Sequence, residues 1–275
     1  MAGPPEITNM ALFCDFENIA LGVRDAKYAQ FDMQKVLERL LLKGSIIVKK
    51  AYCDWERYKE FKASMHEAAF ELIEIPHVRQ SGKNSADIRM VVDALDLCYT
   101  KAHVDTFVIL SGDSDFSPLV SKLRENNKVV IGVGVKKSTS DLLTANCDEF
   151  LFYDDLVREQ EQKKKRAAKH ATGTTTGGAS HRTAKQREPD KRQEALDMIT
   201  ETLEALSAER GAEDKIWGSM VKQALKRRQP GFNESYYGFR SFSELLEEAE
   251  KRQLLALEHD EKSGGYILRM LAHEG

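Results

Sequence analysis

Phe107-Val108-Ile109-Leu110-Ser111-Gly112-Asp113-Ser114-Asp115-Phe116 is the stretch that decides the fold. Apolar residues run unbroken into a turn of small residues carrying two aspartates, and Ser117-Pro118 follows. Apolar residues this dense read as a strand buried on both faces, the kind found in parallel sheets. Ser117 reads as an N-cap and Pro118 as the first helical residue, so a helix starts at once. The two carboxylates then stand at the carboxyl end of a central strand, where open α/β sheets bind their ligands.

Working outward, strand and helix alternate. Met10-Ala11-Leu12-Phe13-Cys14 is a buried strand ending at Asp15. Met33, Val36, Leu37, Leu40 and Leu41 keep the spacing of one helical face, and Gly44 stops it. Ile46 to Tyr52 is a strand, Tyr58, Phe61, Met65 and Ala68 mark a helical face, and Phe70 to Ile75 alternates as a strand. A loop with Ser81-Gly82-Lys83-Asn84 leads into a helix whose expected inner face is Ile88, Val91, Val92 and Leu95. Val129-Val130-Ile131-Gly132-Val133 is another strand, and a short helix and strand end near Tyr153. Strands separated by helices of this length predict a mostly parallel sheet.

Residues 193–275 are of a different kind. Leu196, Ile199, Leu203 and Leu206 stripe one helix, ended by Gly211, and Ile216, Met220, Val221 and Leu225 stripe another. Ser241 with Glu244 makes a capping box before a third. Leu254 to Leu257 and Tyr266 to Leu268 flank a polar turn and read as a hairpin. Three helices and a two-stranded wing predict a small winged-helix domain.

Composition sets limits. No window of the 275 residues approaches the roughly 18 apolar residues of a membrane span, and Met1 to Glu6 lacks the basic and apolar regions of a secretory signal. Cys14, Cys53, Cys98 and Cys147 stand far apart with no CxxC pair, which suits reduced thiols and a cytoplasmic location. The seven histidines show no metal spacing. The net charge of -3 is unevenly spread: 24 acids against 19 bases over 1–157, 4 against 11 over 158–192, and 16 against 11 over 193–275. Lys163-Lys164-Lys165-Arg166 ahead of Thr172-Gly173-Thr174-Thr175-Thr176-Gly177-Gly178 cannot build a core and reads as a flexible linker over 157–189. It is a solvated spacer or an electrostatic arm for a polyanion.

The polar residues at strand ends form a constellation. The first strand delivers Asp15 and Asn18, the fourth Asp113 and Asp115, and the helix between them carries Asp87 in its first turn. Asp87 and Asp93 lie about 240° apart around a helix, so Asp93 falls to a supporting role. Any one of these aspartates is explained as a cap or a turn former. Together they repel one another unless a cation neutralises them. Oxygen donors without His or Cys select Mg²⁺ or Mn²⁺. Such a centre suits phosphodiester hydrolysis, with Asn18 beside the water or phosphate and Ser111 and Ser114 holding the carboxylates.

Asp15-Phe16-Glu17-Asn18, Lys83 to Asp87 with Val92-Asp93-Ala94-Leu95, and Ser111 to Phe116 resemble the three blocks of the NYN family of PIN-like nucleases, over residues 8–156. The chain departs from the usual acidic block at Ala86. The resemblance implies a Rossmann-like α/β domain and a metal-dependent ribonuclease with Asp15, Asp87 and Asp113 as metal ligands and Asn18 and Asp115 in support. Residues 190–271 resemble the LOTUS, or OST-HTH, winged helix, which implies a module for RNA or for a protein partner, a second copy of the chain included. In it Lys222, Lys226, Arg227, Arg228 and Arg240, with Tyr236, are the candidate contacts to single-stranded RNA. The expected function is RNA cleavage. A non-catalytic RNA-binding regulator and a phosphohydrolase of small substrates are the alternatives.

Overall fold

The computed structural model describes residues 8–28, 31–75, 85–161, 191–211, 214–260 and 264–271. The basic tract at 163–166, the Gly/Thr tract at 172–178, Lys83 with the loop at 81–84, and the turn at 261–263 lie outside the described residues. What is described falls into two compact units.

The first unit is a six-stranded sheet, all parallel, in the order β3-β2-β1-β4-β5-β6. Its strands are β1 (Asn9–Asp15), β2 (Ser45–Cys53), β3 (Glu71–Glu74), β4 (Thr106–Leu110), β5 (Val129–Gly134) and β6 (Glu149–Phe152). The helices are α1 (Phe16–Asp25), α2 (Met33–Lys43), α3 (Lys62–Glu67), α4 (Ser85–Thr100), α5 (Ser117–Glu125), α6 (Asp141–Asn146) and α7 at 153–161. The unbroken apolar runs of β1 and β4 are buried throughout because both sheet faces are covered. Even-numbered residues of β1 pack with α1, α2 and α3, odd-numbered ones with α4 and α5. Sheet order reverses direction between the paired neighbours β1 and β4, and the crevice of such a sheet opens at the carboxyl ends of those strands.

Three local expectations are corrected. Residues 16–25 form a helix, α1, capped by the Asp15 side chain, beyond the strand end expected at Asp15. Ser117 is not the N-cap of α5. A 3-10 turn, Ser114–Phe116, precedes the helix and puts Phe116 at that position, with the Ser117 hydroxyl buried and without a hydrogen-bond partner. The buried face of α4 is Met90, Ala94 and Cys98, while Ile88 and Val92 are exposed. Cys14, Cys53 and Cys98 are buried and no disulfide forms among the four thiols.

The second unit holds α8 (Lys191–Arg210), β7 (Ile216–Trp217), α9 (Gly218–Arg228), α10 (Phe242–Lys251), β8 (Leu255–Asp260) and β9 (Gly265–Met270). Ile216 does not belong to the helical stripe expected of it; it lies in β7, which pairs antiparallel with β9 and makes the wing a three-stranded sheet, β7-β9-β8. The Ser241 cap forms, its Oγ accepting from the Glu244 N–H at 3.2 Å, while the Glu244 side chain reaches back one residue further than a capping box requires, its Oε2 accepting from the Arg240 N–H at 2.6 Å.

Candidate active site

Asp15 is the last residue of β1, a buried strand paired on both sides with β2 and β4 and packed through Ala11 and Phe13. Its carboxylate is almost wholly buried and accepts two hydrogen bonds, from Ser111 Oγ to Oδ2 at 3.0 Å and from the Asn18 N–H to Oδ1 at 3.3 Å. Ser111 follows β4, and its hydroxyl also accepts from the Asp113 N–H at 3.2 Å. Asn18 closes the arrangement: its Oδ1 accepts from the Gly112 N–H at 2.8 Å. One serine and one asparagine therefore tie the end of β1 to the turn after β4. Gly112 has no room for a side chain there, because a Cβ would stand 2.4 Å from the Ser138 carbonyl oxygen.

Asp87 enters from the first turn of α4. It lines one groove with Ser114 and Asp115 of the turn after β4. Burial, then Asp87, then Asp113 push the Asp15 carboxyl up from 3.8 to about 7, against the Ser111 and Asn18 hydrogen bonds, which lower it. Burial, then Asp113, Asp115 and Glu17 raise Asp87. Each carboxylate thus feels others across the crevice, the condition under which a cation is attracted. The donor set is all oxygen and fits a hard divalent ion. Among the described residues, however, no three His, Cys, Asp or Glu side chains stand close enough together to hold a metal ion as they are placed. The half-exposed Asp87 and Asp113 leave the crevice open.

The supporting residues divide. Asp113, rather than Asp115, shapes the turn, its Oδ1 accepting from the Asp115 N–H at 2.9 Å, while Asp115 is exposed. Asp93 lies on another face of α4, where it accepts from Tyr52 Oη at 2.9 Å and from Arg89 Nε at 3.0 Å, with Lys50 Nζ 3.6 Å away. Tyr52 stands beside Asp15 in the register of β1 and β2, so Asp93 anchors α4 to that strand and touches none of the other carboxylates through a described bond. No hydrogen bond from Ser114 Oγ to a carboxylate is found among the described residues. A groove of about 730 Å³ leads away between α4 and α5, bounded by Asp87, Asp115, Ile88, Val92 and Leu142. It accounts for the exposed apolar side of α4.

Glu17 and Arg57 were not singled out from the sequence as site residues. Glu17 is in the first turn of α1 and Arg57 Nη1 donates to its Oε1 at 3.3 Å. Recognising α1 as a helix would have found Glu17, in its first turn next to Asp15, whereas nothing local points to Arg57.

In the second unit the candidate RNA contacts fall into two groups. Lys222 is held by Glu234 at 2.8 Å, Arg228 Nη1 donates to the buried Thr202 at 3.3 Å, and burial lowers the pKa of the half-buried Arg227. Lys226, Arg240 and Tyr236 are exposed, and Lys191 Nζ sits 4.6 Å from the Tyr236 ring centroid. Lys191 was missed; its signal is its position at the end of the basic tract, where a helix begins.

A model of the NYN domain matches residues 9–154, and one of the OST-HTH/LOTUS domain matches residues 191–265. An uncharacterized protein of Methanocaldococcus jannaschii, MJ0482, is 27% identical over 141 residues, covering 50% of this chain and 55% of the relative. The chain spans about half the length of that curated relative. A crystal structure of a protein of unknown function from Vibrio parahaemolyticus, VPA0982, is similar at a TM-score of 0.50 with 25% identity, over 56% of this chain and 98% of that one.

Proposed function

This chain belongs to the NYN domain family, and on that premise we propose that it is a metal-dependent ribonuclease whose OST-HTH/LOTUS domain holds the RNA. A domain from a nuclease superfamily joined to an RNA-binding type of domain supports a role in RNA metabolism. What supports the finer reading is that Asp15, Asp87 and Asp113 come from separate elements, and that the charges of Asp87 and Asp113 raise the Asp15 carboxyl while that of Asp113 raises Asp87. The nuclease domain is assigned to 8–156, the basic linker to 157–189 and the RNA-holding domain to 190–271. No helix of the described residues is long and apolar enough to cross a membrane.

In this reading Asp15, Asp87 and Asp113 would hold Mg²⁺ or Mn²⁺. When bound, such an ion lowers the pKa of a water and offsets charge on the departing oxygen. Ser111 keeps Asp15 and Asp113 at a fixed separation through one hydroxyl. Asn18 holds the turn by its carbonyl and leaves its amide NH₂ as a donor towards a phosphate. Asp115, exposed on the turn after β4, lines one groove with Asp87 and would support the reaction from there. Lys226, Arg240 and Tyr236 offer phosphate contacts and a stacking face for single-stranded RNA.

The open carboxylate arrangement is what favours the alternative, an RNA-binding regulator that cleaves nothing. Labelled single-stranded RNA, the same sequence as DNA, and a mononucleotide, each incubated with and without Mn²⁺, separate the readings. Cleavage of RNA that requires Mn²⁺ and is lost in Asp113→Asn supports the nuclease. RNA binding without cleavage at any Mn²⁺ concentration refutes it, and turnover of the mononucleotide alone assigns a small-substrate phosphohydrolase.

A further inference from the structure

A carboxylate cluster that attracts a cation repels the phosphates of its substrate, so other groups must bring the strand to it. A cleft of about 380 Å³ lies against α1, and its wall carries Arg24, Arg57, Tyr28, Tyr58 and Phe61, with Glu60 also in the lining. That volume is at the small end of ligand sites and matches one nucleotide better than a protein segment. We propose that this cleft is a subsite for the nucleotide neighbouring the scissile bond in single-stranded RNA, with its phosphate held by Arg24 and Arg57 and its base laid against the aromatic wall. The inference rests on the nuclease reading for the bond that is cleaved, though not for the binding.

Position is the first support. Glu17 and Arg24 are seven residues apart on α1, about 20° around the helix and about 10 Å along it. They share a face that starts at the crevice, where Glu17 is felt by Asp87, and ends at the cleft. Arg57 links the two by its 3.3 Å bond to Glu17. A chain leaving the crevice along this face meets the cleft next.

Chemistry is the second. The Arg24 side chain is 74% exposed, and its ion pair among the described residues is with its chain neighbour Asp25 at 3.7 Å, so it ties no distant element of the fold. The Arg57 side chain is 52% exposed. Guanidinium groups serve both phosphate oxygens and base faces. Tyr58 and Phe61 pack edge-on against the buried Phe16, at 5.8 and 5.2 Å between centroids, which fixes them before any ligand arrives. Base stacking on rings held in this way is tolerant of sequence.

The test is fluorescence anisotropy of a labelled ten-nucleotide single-stranded RNA with the full chain, in an Asp113→Asn background that stops cleavage. Arg24→Ala is expected to weaken binding about 3–10-fold and to reduce the slope of log Kd against log salt by about 0.7, one single-strand phosphate contact. Tyr58→Ala is expected to weaken it about 5-fold or more, and Tyr58→Phe to restore it, which separates lost stacking from a lost fold. Lys101→Ala removes the same charge from an exposed site just before β4, at the amino-terminal end of the central strands and so away from their carboxyl ends, and should change neither affinity nor slope. Unchanged binding in Arg24→Ala and Tyr58→Ala overturns the proposal, as does an equal loss in Lys101→Ala. If these variants behave as expected but the unmodified chain cleaves no RNA with Mn²⁺, the nuclease reading fails and the subsite stands. If it cleaves while the cleft variants keep their Kd, the subsite alone fails.

Discussion

Replacing Asp15 by asparagine is expected to stabilise the protein while removing a metal ligand. Asp15 is held in a folded environment that lifts its carboxyl from 3.8 to about 7, chiefly by burial and then by the charge of Asp87. Between about pH 4 and pH 7 the folded chain keeps a proton on Asp15 that the unfolded chain has released. The unfolded state therefore binds fewer protons, and stability falls as pH rises through that window. At about 1.4 kcal/mol per pH unit the full penalty above pH 7 is about 4 kcal/mol. Asparagine carries no charge to desolvate, but its NH₂ cannot accept the Ser111 bond as Oδ2 does, which returns about 1–3 kcal/mol. The net gain at pH 8 without metal is about 1–3 kcal/mol, or roughly 2–10 °C in the transition of the first unit. Thermal melts of Asp15→Asn and of the unaltered chain from pH 4 to pH 9 with EDTA measure it. The difference should be near zero or reversed at pH 4, grow to pH 7–8 and level off, and saturating Mn²⁺ should close it by stabilising only the unaltered chain. A variant less stable than the unaltered chain at pH 8, or a difference that ignores pH, refutes the strained, buried carboxylate.

Ser111→Ala leaves Asp15 Oδ2 and the Asp113 N–H without their shared partner, at about 1–3 kcal/mol of stability. Because that hydrogen bond lowers the Asp15 pKa, carboxyl-carbon NMR of the metal-free protein should show Asp15 titrating at higher pH than before. Gly112→Ala drives a Cβ to 2.4 Å from the Ser138 oxygen and 2.9 Å from Thr139 Cα, both backbone, so the turn must move. It should reduce RNA cleavage at least tenfold, for about 1–3 kcal/mol of stability read by denaturant melts. Tyr52→Phe removes the bond to Asp93 and should cost about 0.5–1.5 kcal/mol while leaving the Mn²⁺ affinity within twofold.

The sheet was legible because β1 and β4 carry the unbroken apolar signature of strands covered on both sides. Asp15, Asp113 and Asp87 could be named for the same reason, as polar residues ending apolar runs or opening a helix. What the pattern hid was set by contacts that apolar periodicity does not report. Ile88 and Val92 fit a helical stripe, yet that side of α4 borders a groove, and only packing against Phe107 and Ile109 reveals Met90, Ala94 and Cys98 as the inner face. Ser117-Pro118 looks like a helix start, but the Asp113 side chain captures the Asp115 N–H and inserts a 3-10 turn first. Ile216 continues a 3.6-residue period and still forms a strand, because its backbone finds Leu268. Arg57 and Glu17 are 40 residues apart, and no local period joins them.

Titration calorimetry of Mn²⁺ at pH 8 tests most directly whether the three carboxylates serve one cation. The unaltered chain should bind Mn²⁺, and Asp15→Asn, Asp87→Asn and Asp113→Asn should each weaken that binding by tenfold or more, whereas Asp93→Asn should not. Equal Mn²⁺ affinity in all four variants, or no binding by the unaltered chain, would contradict a shared metal centre at the crevice between β1 and β4.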